Sequence, residues 1–271
     1  MNEQEIIKAI KSSKKYKAIS EEVIKQKTEE YIKKNPRWEQ YKEKFILKDI
    51  KTILHKAHGS FQVHPKNAKR KGEFLEELRK DPNDLDIIDE ILKTNRSTRE
   101  RLDIYPKLYN KIFDITSEPK SILDLGAGLN PVSFAYMNLP DNTDYYVYDI
   151  NEKDNDFLNE FFKIEKINGK SELLDLSRIE NIKTLPSCDI CLMFKFLDVV
   201  EKKGHKYSEE IIKVLREKCK FLIVSFATRT VSGKSMNFPQ RGWIERMLDR
   251  IGMDFKRLEF ESEIFYVISK I

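Results

Sequence analysis

Sulfur, imidazole and long apolar runs are scarce in this chain, and each scarcity removes a class of protein. Three cysteines in 271 residues (Cys188, Cys191 and Cys219) are too few for a disulfide framework. Cys188-x-x-Cys191 has no second pair and opens an apolar strand, so it reads as core first and as a metal or redox site second. His55, His58 and His64 come without a neighbouring carboxylate or cysteine ligand. Packing, hydrogen bonding or ligand contact is therefore expected there rather than a metal. No apolar run approaches the ~20 residues of a membrane span, and the N-terminal stretch is charged throughout, unlike a secretory signal. A soluble, cytoplasmic protein is expected, and nothing demands more than a monomer. Glycine is also sparse, at nine residues, so two glycines falling within three positions stand out.

Acidic residues are scarce in one place. Residues 1–71 carry 19 Lys and Arg against 9 Asp and Glu, a net +10, while the whole chain is only +5. A basic end joined to a slightly acidic remainder points to a nucleic-acid docking part beside a second functional part. Ordinary solvated helix faces are the plainer alternative. Within the basic end, Lys14, Lys15, Tyr16 and Lys17 interleave an aromatic with lysines, which suits phosphates plus a stacked base or sugar. Lys69, Arg70 and Lys71 fall in an expected basic loop over residues 64–72.

Residues 1–105 show helical periodicity and almost no strand pattern. Ile6, Ile7 and Ile10 form one stripe, Ser20 caps a second helix, and Phe45, Ile46, Ile50, Ile53 and Leu54 mark a third that should end at Gly59. Residues 74–78 and 85–92 give two short helices, and Ser97 or Thr98 can cap another. From residue 106 to 271 strands and helices alternate, the pattern of a doubly wound α/β sheet. Strands are expected over 121–125, 145–150, 171–176, 189–194 and 221–226, and a closing antiparallel hairpin over 255–260 and 264–269.

The stretch Ser121-Ile-Leu-Asp-Leu-Gly-Ala-Gly-Leu-Asn-Pro131 organises that second part. A buried strand runs into a turn at Gly126, Ala127 and Gly128 where backbone can approach a ligand, and Asn130-Pro131 should start a helix. Asp149, 25 residues after Asp124, ends the next strand, where a carboxylate can accept ribose hydroxyls. A third motif glycine is absent, and Asp124 near the end of the first strand would repel a pyrophosphate. That favours S-adenosylmethionine, with its ammonium and sulfonium, over a nicotinamide or flavin nucleotide. Ligands bind beyond the carboxyl ends of such strands, which gathers Gly126, Asp149, Asp175, Lys195 and Arg229 around one crevice. Arg96, Arg99 and Arg101, just before the sheet, are either surface pairs or binders of a carboxylate or phosphate.

Six stretches now fall in one order: Ser13-Lys-Lys-Tyr, Leu54-His-Lys-Ala-His-Gly-Ser-Phe61, Ser97-Thr-Arg-Glu-Arg-Leu102, Asp124-Leu-Gly-Ala-Gly-Leu-Asn-Pro131, Lys195 in Met-Phe-Lys-Phe-Leu, and Ser225-Phe-Ala-Thr-Arg229. Together they resemble the Arm/Rmt family of 16S ribosomal RNA guanine-N7 methyltransferases, known for aminoglycoside resistance. The resemblance spans nearly the whole chain. It implies a Rossmann-like S-adenosylmethionine-dependent methyltransferase domain behind an all-helical domain that docks on the small ribosomal subunit. Carried over by position, it implies that Arg101 holds the cofactor carboxylate with Asn95 and Ser97 nearby, and that Gly126 accompanies the amino group. Asp149 with Ile150 would take the ribose, Asp175 with Leu176 the adenine edge, and Phe61 would pack against the cofactor. Lys195, Arg229 and Lys234 would face the target guanine or its phosphates. Asn95 stands where relatives often have histidine and Ala227 where they have proline, and the loop at Gly233-Lys-Ser-Met236 looks shorter.

Guanine N7 carries a lone pair and no proton, so methyl transfer to it needs no general base. Cation and carboxylate binders without an acid–base pair are what such a reaction requires. A methyltransferase on another RNA or protein, or a non-catalytic ribosome-binding module, are the competing expectations.

Overall fold

The computed structural model describes residues 1–271 except 14, 15, 17, 18, 55–64, 202, 203, 231–240 and 271, and not the side chains of 65–69. Three helices, α1 (Glu3–Lys11), α2 (Glu21–Lys34) and α3 (Glu43–Leu54), form an N-terminal bundle. Ile6, Ile10, Ile24, Ile46, Ile50 and Leu54 fill a core of its own. The caps explain where the first two helices begin. Asn2 Oδ1 accepts from the Glu5 N–H at 2.9 Å while Glu5 accepts from the Asn2 N–H, and Ser20 Oγ accepts from the Val23 N–H at 3.2 Å. Phe45 departs from the expected apolar stripe and is half exposed. The expected helix end at Gly59 lies outside the described residues.

Helices α4 (Pro65–Lys80), α5 (Leu85–Lys93), α6 (Arg96–Arg101) and α7 (Tyr105–Thr116) follow. The expected basic loop over 64–72 is therefore helical from Pro65, since proline suits a first helical turn. The α6 cap is Asn95, whose side chain accepts from the Ser97 N–H at 2.9 Å, and neither Ser97 nor Thr98. Phe74, Leu78, Ile88, Ile91, Tyr105 and Leu108 share one core with Ile122, Val147 and Ile190 of the sheet. In packing terms α4–α7 thus belong with the sheet, and the separate core ends at Leu54, well before residue 105.

The sheet has seven strands: β1 (Ser121–Leu125), β2 (Asp144–Asp149), β3 (Gly169–Leu173), β4 (Cys188–Phe194), β5 (Cys219–Ala227), β6 (Met253–Glu259) and β7 (Glu263–Lys270). Their order is β3-β2-β1-β4-β5-β7-β6, with β1–β5 parallel and β7 antiparallel to both its neighbours. Connections run through α8 (Glu152–Ile164), α9 (Ile179–Thr184), α10 (Leu197–Val200), α11 (Lys206–Leu215) and α12 (Gly242–Arg250). Both faces are buried: in β4, Ile190, Leu192 and Phe194 enter one apolar cluster while Cys191 and Met193 enter the other. All three cysteines are buried and unpaired, the core role expected first. The segment after β1 departs from expectation: Asn130–Tyr136 is a 3-10 helix, wound by i to i+3 bonds such as Val132 N–H to Leu129 O at 3.2 Å. β3 stops at Leu173, which leaves Asp175 in the loop past the strand tip.

Candidate cofactor and acceptor site

The β1 turn is possible because Gly126 and Gly128 both take positive φ, 63° and 54°. A Cβ on Gly126 would also sit 2.8 Å from Phe196 Cδ2. Gly126 N–H donates to the Tyr148 carbonyl at 2.9 Å and Gly128 N–H to Asp149 Oδ2 at 3.0 Å, so the turn is strapped to the tip of β2. Asp149 Oδ1 accepts from the Asn151 N–H at 2.9 Å. An ionised carboxylate of this kind is an acceptor only.

Over these tips opens a cavity of about 400 Å³, within the range of small-molecule sites. Asn95, Ser97, Arg101, Gly126, Ala127 and Gly128 line it. Asp149, Ile150, Asp175, Leu176 and Lys195 line it too, together with Phe194 and Phe196. Eleven residues expected at the site from sequence are thereby brought together.

A buried polar chain forms the cavity floor. Arg101, 1% exposed, donates through Nε to Tyr105 Oη at 3.2 Å, through Nη1 to Ser97 Oγ at 3.0 Å and Glu263 Oε1 at 3.3 Å, and through Nη2 to Asn130 Oδ1 at 3.2 Å. These use four of five guanidinium hydrogens and leave one at Nη2. Burial opposes the Arg101 charge, but Tyr105 and Glu263 outweigh it and push its pKa up. Asn130 Nδ2 in turn donates to Asp124 Oδ2 at 2.8 Å, and Tyr145 Oη donates to the same oxygen at 2.9 Å. Asp124 therefore does not line the cavity. Burial raises its carboxyl to about 6 against the pull of those two donors.

Lys195 sits at the other end of this chain. Its φ is 56°, a conformation that costs a non-glycine residue about 1–2 kcal/mol. Its N–H is held by Ser225 Oγ at 2.9 Å. The ammonium lies 2.7 Å from Glu100 and 3.1 Å from Glu263. Burial raises the Glu100 carboxyl, yet Lys195 and Arg96 prevail and hold it below the usual range. Glu263 is 0% exposed and also accepts from Ser225 Oγ. One buried carboxylate thus holds two neighbouring cations that line the cavity, Arg101 and Lys195.

The basic residues sort less well. Tyr16 is buried in the bundle core, its hydroxyl donating to the Lys51 carbonyl at 3.0 Å, because its ring fills the space between α1 and α3; it is not available to stack on a base. Lys71 pairs with Asp154 and lies 5.3 Å from the centre of the Phe157 ring, and so serves packing. Arg70 is half exposed, 4.7 Å over Phe74 and 3.7 Å from Glu90. Arg229 is exposed and paired with Glu261 past the end of β5, and is not among the residues that line the cavity. Lys14, Lys15, Lys17, Phe61, Lys234 and the histidines at 55, 58 and 64 lie outside the described residues, as does the side chain of Lys69.

Sequence reasoning missed Glu263 and the contribution of α2. Lys27, Glu30, Tyr31 and Lys34 also line the cavity. Lys27 Nζ stands 3.1 Å from Asp175 Oδ2 and 2.6 Å from Ser177 Oγ. A signal was present: Lys27 lies four positions after Val23 and four before Tyr31, on the apolar stripe of its helix.

Residues 12–267 match the family described as "Ribosomal RNA methyltransferase (FmrO)". The chain belongs to that family. Among relatives of this ribosomal RNA methyltransferase, a Proteus mirabilis protein named 16S rRNA (guanine(1405)-N(7))-methyltransferase is 24% identical over 99% of this chain and 97% of its own length. A Frankia casuarinae protein of the same name is 28% identical over 66% of this chain, and the match spans 62% of that relative. The fold is shared with 16S rRNA methyltransferase RmtF, solved in complex with S-adenosyl-L-homocysteine, at TM-score 0.82 and 22% identity over 100% of both chains.

The cavity residues fit the S-adenosylmethionine of such a methyltransferase. Arg101 has a hydrogen left for a carboxylate, glycine backbone lies open where a Cβ would intrude, and the Asp149 carboxylate lies among the lining residues with the apolar Phe194 and Phe196. Among the described residues no helix is long and apolar enough to cross a membrane.

Proposed function

We propose that the protein methylates N7 of a guanine in 16S rRNA within the small ribosomal subunit, as a monomer, with S-adenosylmethionine as methyl donor. The observation that carries this reading is the joined pair of cations: Arg101 and Lys195 both line the cavity and share the buried carboxylate of Glu263. Arg101, Asn95 and Ser97 would hold the methionine end, Asp149 and Ile150 the ribose, and Asp175 and Leu176 the adenine edge. Lys195, with Arg229 and Lys234, would face the acceptor base or its phosphates. When bound, the cofactor supplies an electrophilic methyl on a sulfonium.

The protein then has to position and to exclude water. Guanine N7 offers its own lone pair, so no side chain removes a proton. Orientation in a closed site can supply roughly 7–11 kcal/mol of the barrier. Phe194 and Phe196 are buried in the cavity wall, where they keep water from the reacting atoms. The target base must leave its stack at a cost of a few kcal/mol. Phosphate contacts from the basic bundle offset that cost.

The test maps N7-methylguanine by borohydride and aniline cleavage with primer extension, after incubating enzyme and labelled cofactor with small subunits or naked rRNA. One guanine stop in 16S rRNA from assembled subunits is expected. Label on protein, or stops elsewhere, would refute the acceptor. Arg229→Glu should abolish transfer and leave cofactor affinity unchanged; lost cofactor binding would show the arginine belongs to the other subsite.

A further inference from the structure

The bundle meets the rest of the chain at the lip of the cavity. Ile19 pairs with Asn151 in an isolated antiparallel bridge, Lys11 lies 3.9 Å from Glu152, and Ile150 packs against the bundle core. Lys27 reaches furthest: it is 4% exposed although it is a lysine on a surface helix. Its ammonium contacts Glu30 at 3.1 Å on its own helix, and Asp175 and Ser177 on the loop after β3. Asp175 Oδ1 is meanwhile held by the Ser177 N–H at 2.9 Å. The bundle thus touches the chain just past β2, next to Asp149 at that strand's tip, and on the loop after β3 that carries Asp175; these are the two carboxylates of the nucleoside side.

We propose that Lys27 is a positioning residue of the cofactor site, contributed by the docking bundle, which sets the Asp175 carboxylate and links cofactor binding to the seating of the bundle. This rests on the cofactor reading above and extends it. A buried carboxylate with one oxygen on Ser177 and the other on Lys27 has no rotational freedom left. Without the ammonium, Asp175 would face the cavity with a desolvated, unpaired oxygen and a choice of rotamers. Linkage makes the effect mutual. If a seated bundle raises affinity for the nucleoside by some factor, the nucleoside favours the seated bundle by that same factor. The cofactor-loaded protein therefore presents its basic bundle in one fixed attitude to RNA.

The experiment uses the full chain and S-adenosylhomocysteine. Calorimetry gives the dissociation constant for wild type, Lys27→Met and Lys27→Arg. Hydrogen exchange by mass spectrometry follows α2 with and without the nucleoside. Lys27→Met should bind about tenfold more weakly, the loss of one charge-assisted hydrogen bond, and Lys27→Arg should recover most of that. In wild type the α2 amides should slow on adding the nucleoside, and in Lys27→Met they should not. Unchanged affinity in Lys27→Met, or α2 exchange in wild type that ignores the nucleoside, overturns the inference while leaving the cofactor reading standing. A wild type that does not bind the nucleoside sinks both. The wild-type exchange measurement decides even if Lys27→Met fails to fold.

Discussion

Glu263 is the residue on which two cations depend. It is fully buried and reaches Arg101, Lys195 and Ser225, which come from α6, the end of β4 and β5. Removing one member of a buried charged set leaves its partners uncompensated, a loss of roughly 3–5 kcal/mol. Glu263→Gln should therefore lower unfolding stability by that order in a urea titration, and should impair cofactor binding as Arg101 loses its anchor. A variant as stable as wild type would show that Glu100 and Asn130 hold the cations unaided. Residue-level legibility was uneven. Asp149 was readable as a carboxylate at a strand tip, and the structure brings it to the cavity, whereas Arg101 was singled out from Arg96 and Arg99 only through the family resemblance. Glu263 was not, because Glu261-Ser262-Glu263 reads as a polar turn until β7 is laid against β5 and turns the third residue inward. Tyr16 misled for the opposite reason: lysines on either side describe its neighbours, and its own ring points into the bundle.

The strands were the most legible elements. Short β-branched and apolar runs bounded by polar turns placed all seven, because a sheet buried on both faces leaves little choice of residue. Boundaries that depend on single hydrogen bonds were harder to see, such as the Asn95 cap and the early end of β3. The first half of α4 was hidden by its charge, since six of its sixteen residues are Lys or Arg and Gly72 interrupts the apolar period, so that only residues 74–78 read as helix. The glycine turn supports a sharper expectation. Gly126→Ala would have to hold alanine at a φ of 63°, at about 1–2 kcal/mol, with its methyl against the Phe196 ring. The ring must move into the cavity, so calorimetry should show cofactor binding reduced at least tenfold or abolished, with a modest fall in melting temperature. Normal affinity would mean that the turn does not approach the ligand.

At the scale of the whole molecule, part of the lysine excess of the N-terminal stretch lies exposed on α3. Lys44 and Lys48 project from exposed positions on α3, and their replacement by alanine touches neither the bundle core nor the cavity. The double variant should bind small subunits more weakly, with the slope of log K against log salt reduced by about one per lysine. Its affinity for S-adenosylhomocysteine should be unaltered. A slope equal to wild type in filter binding across a salt series would show that this face of α3 does not meet phosphate. What sequence could not supply was the place of the bundle, because the contacts that seat it, Ile19 with Asn151 and Lys27 with Asp175, join residues more than a hundred positions apart.

That seating has an electrostatic consequence. The lysine-rich N-terminal bundle contributes Lys27 and Lys34 to the cavity lining, so charge that is uneven along the chain reaches the cavity mouth. An anionic surface exerts a torque on such a dipole before any atom touches. With RNA as the anion, as proposed above, such a torque would favour approach with the lysine-rich bundle and its neighbouring cavity foremost.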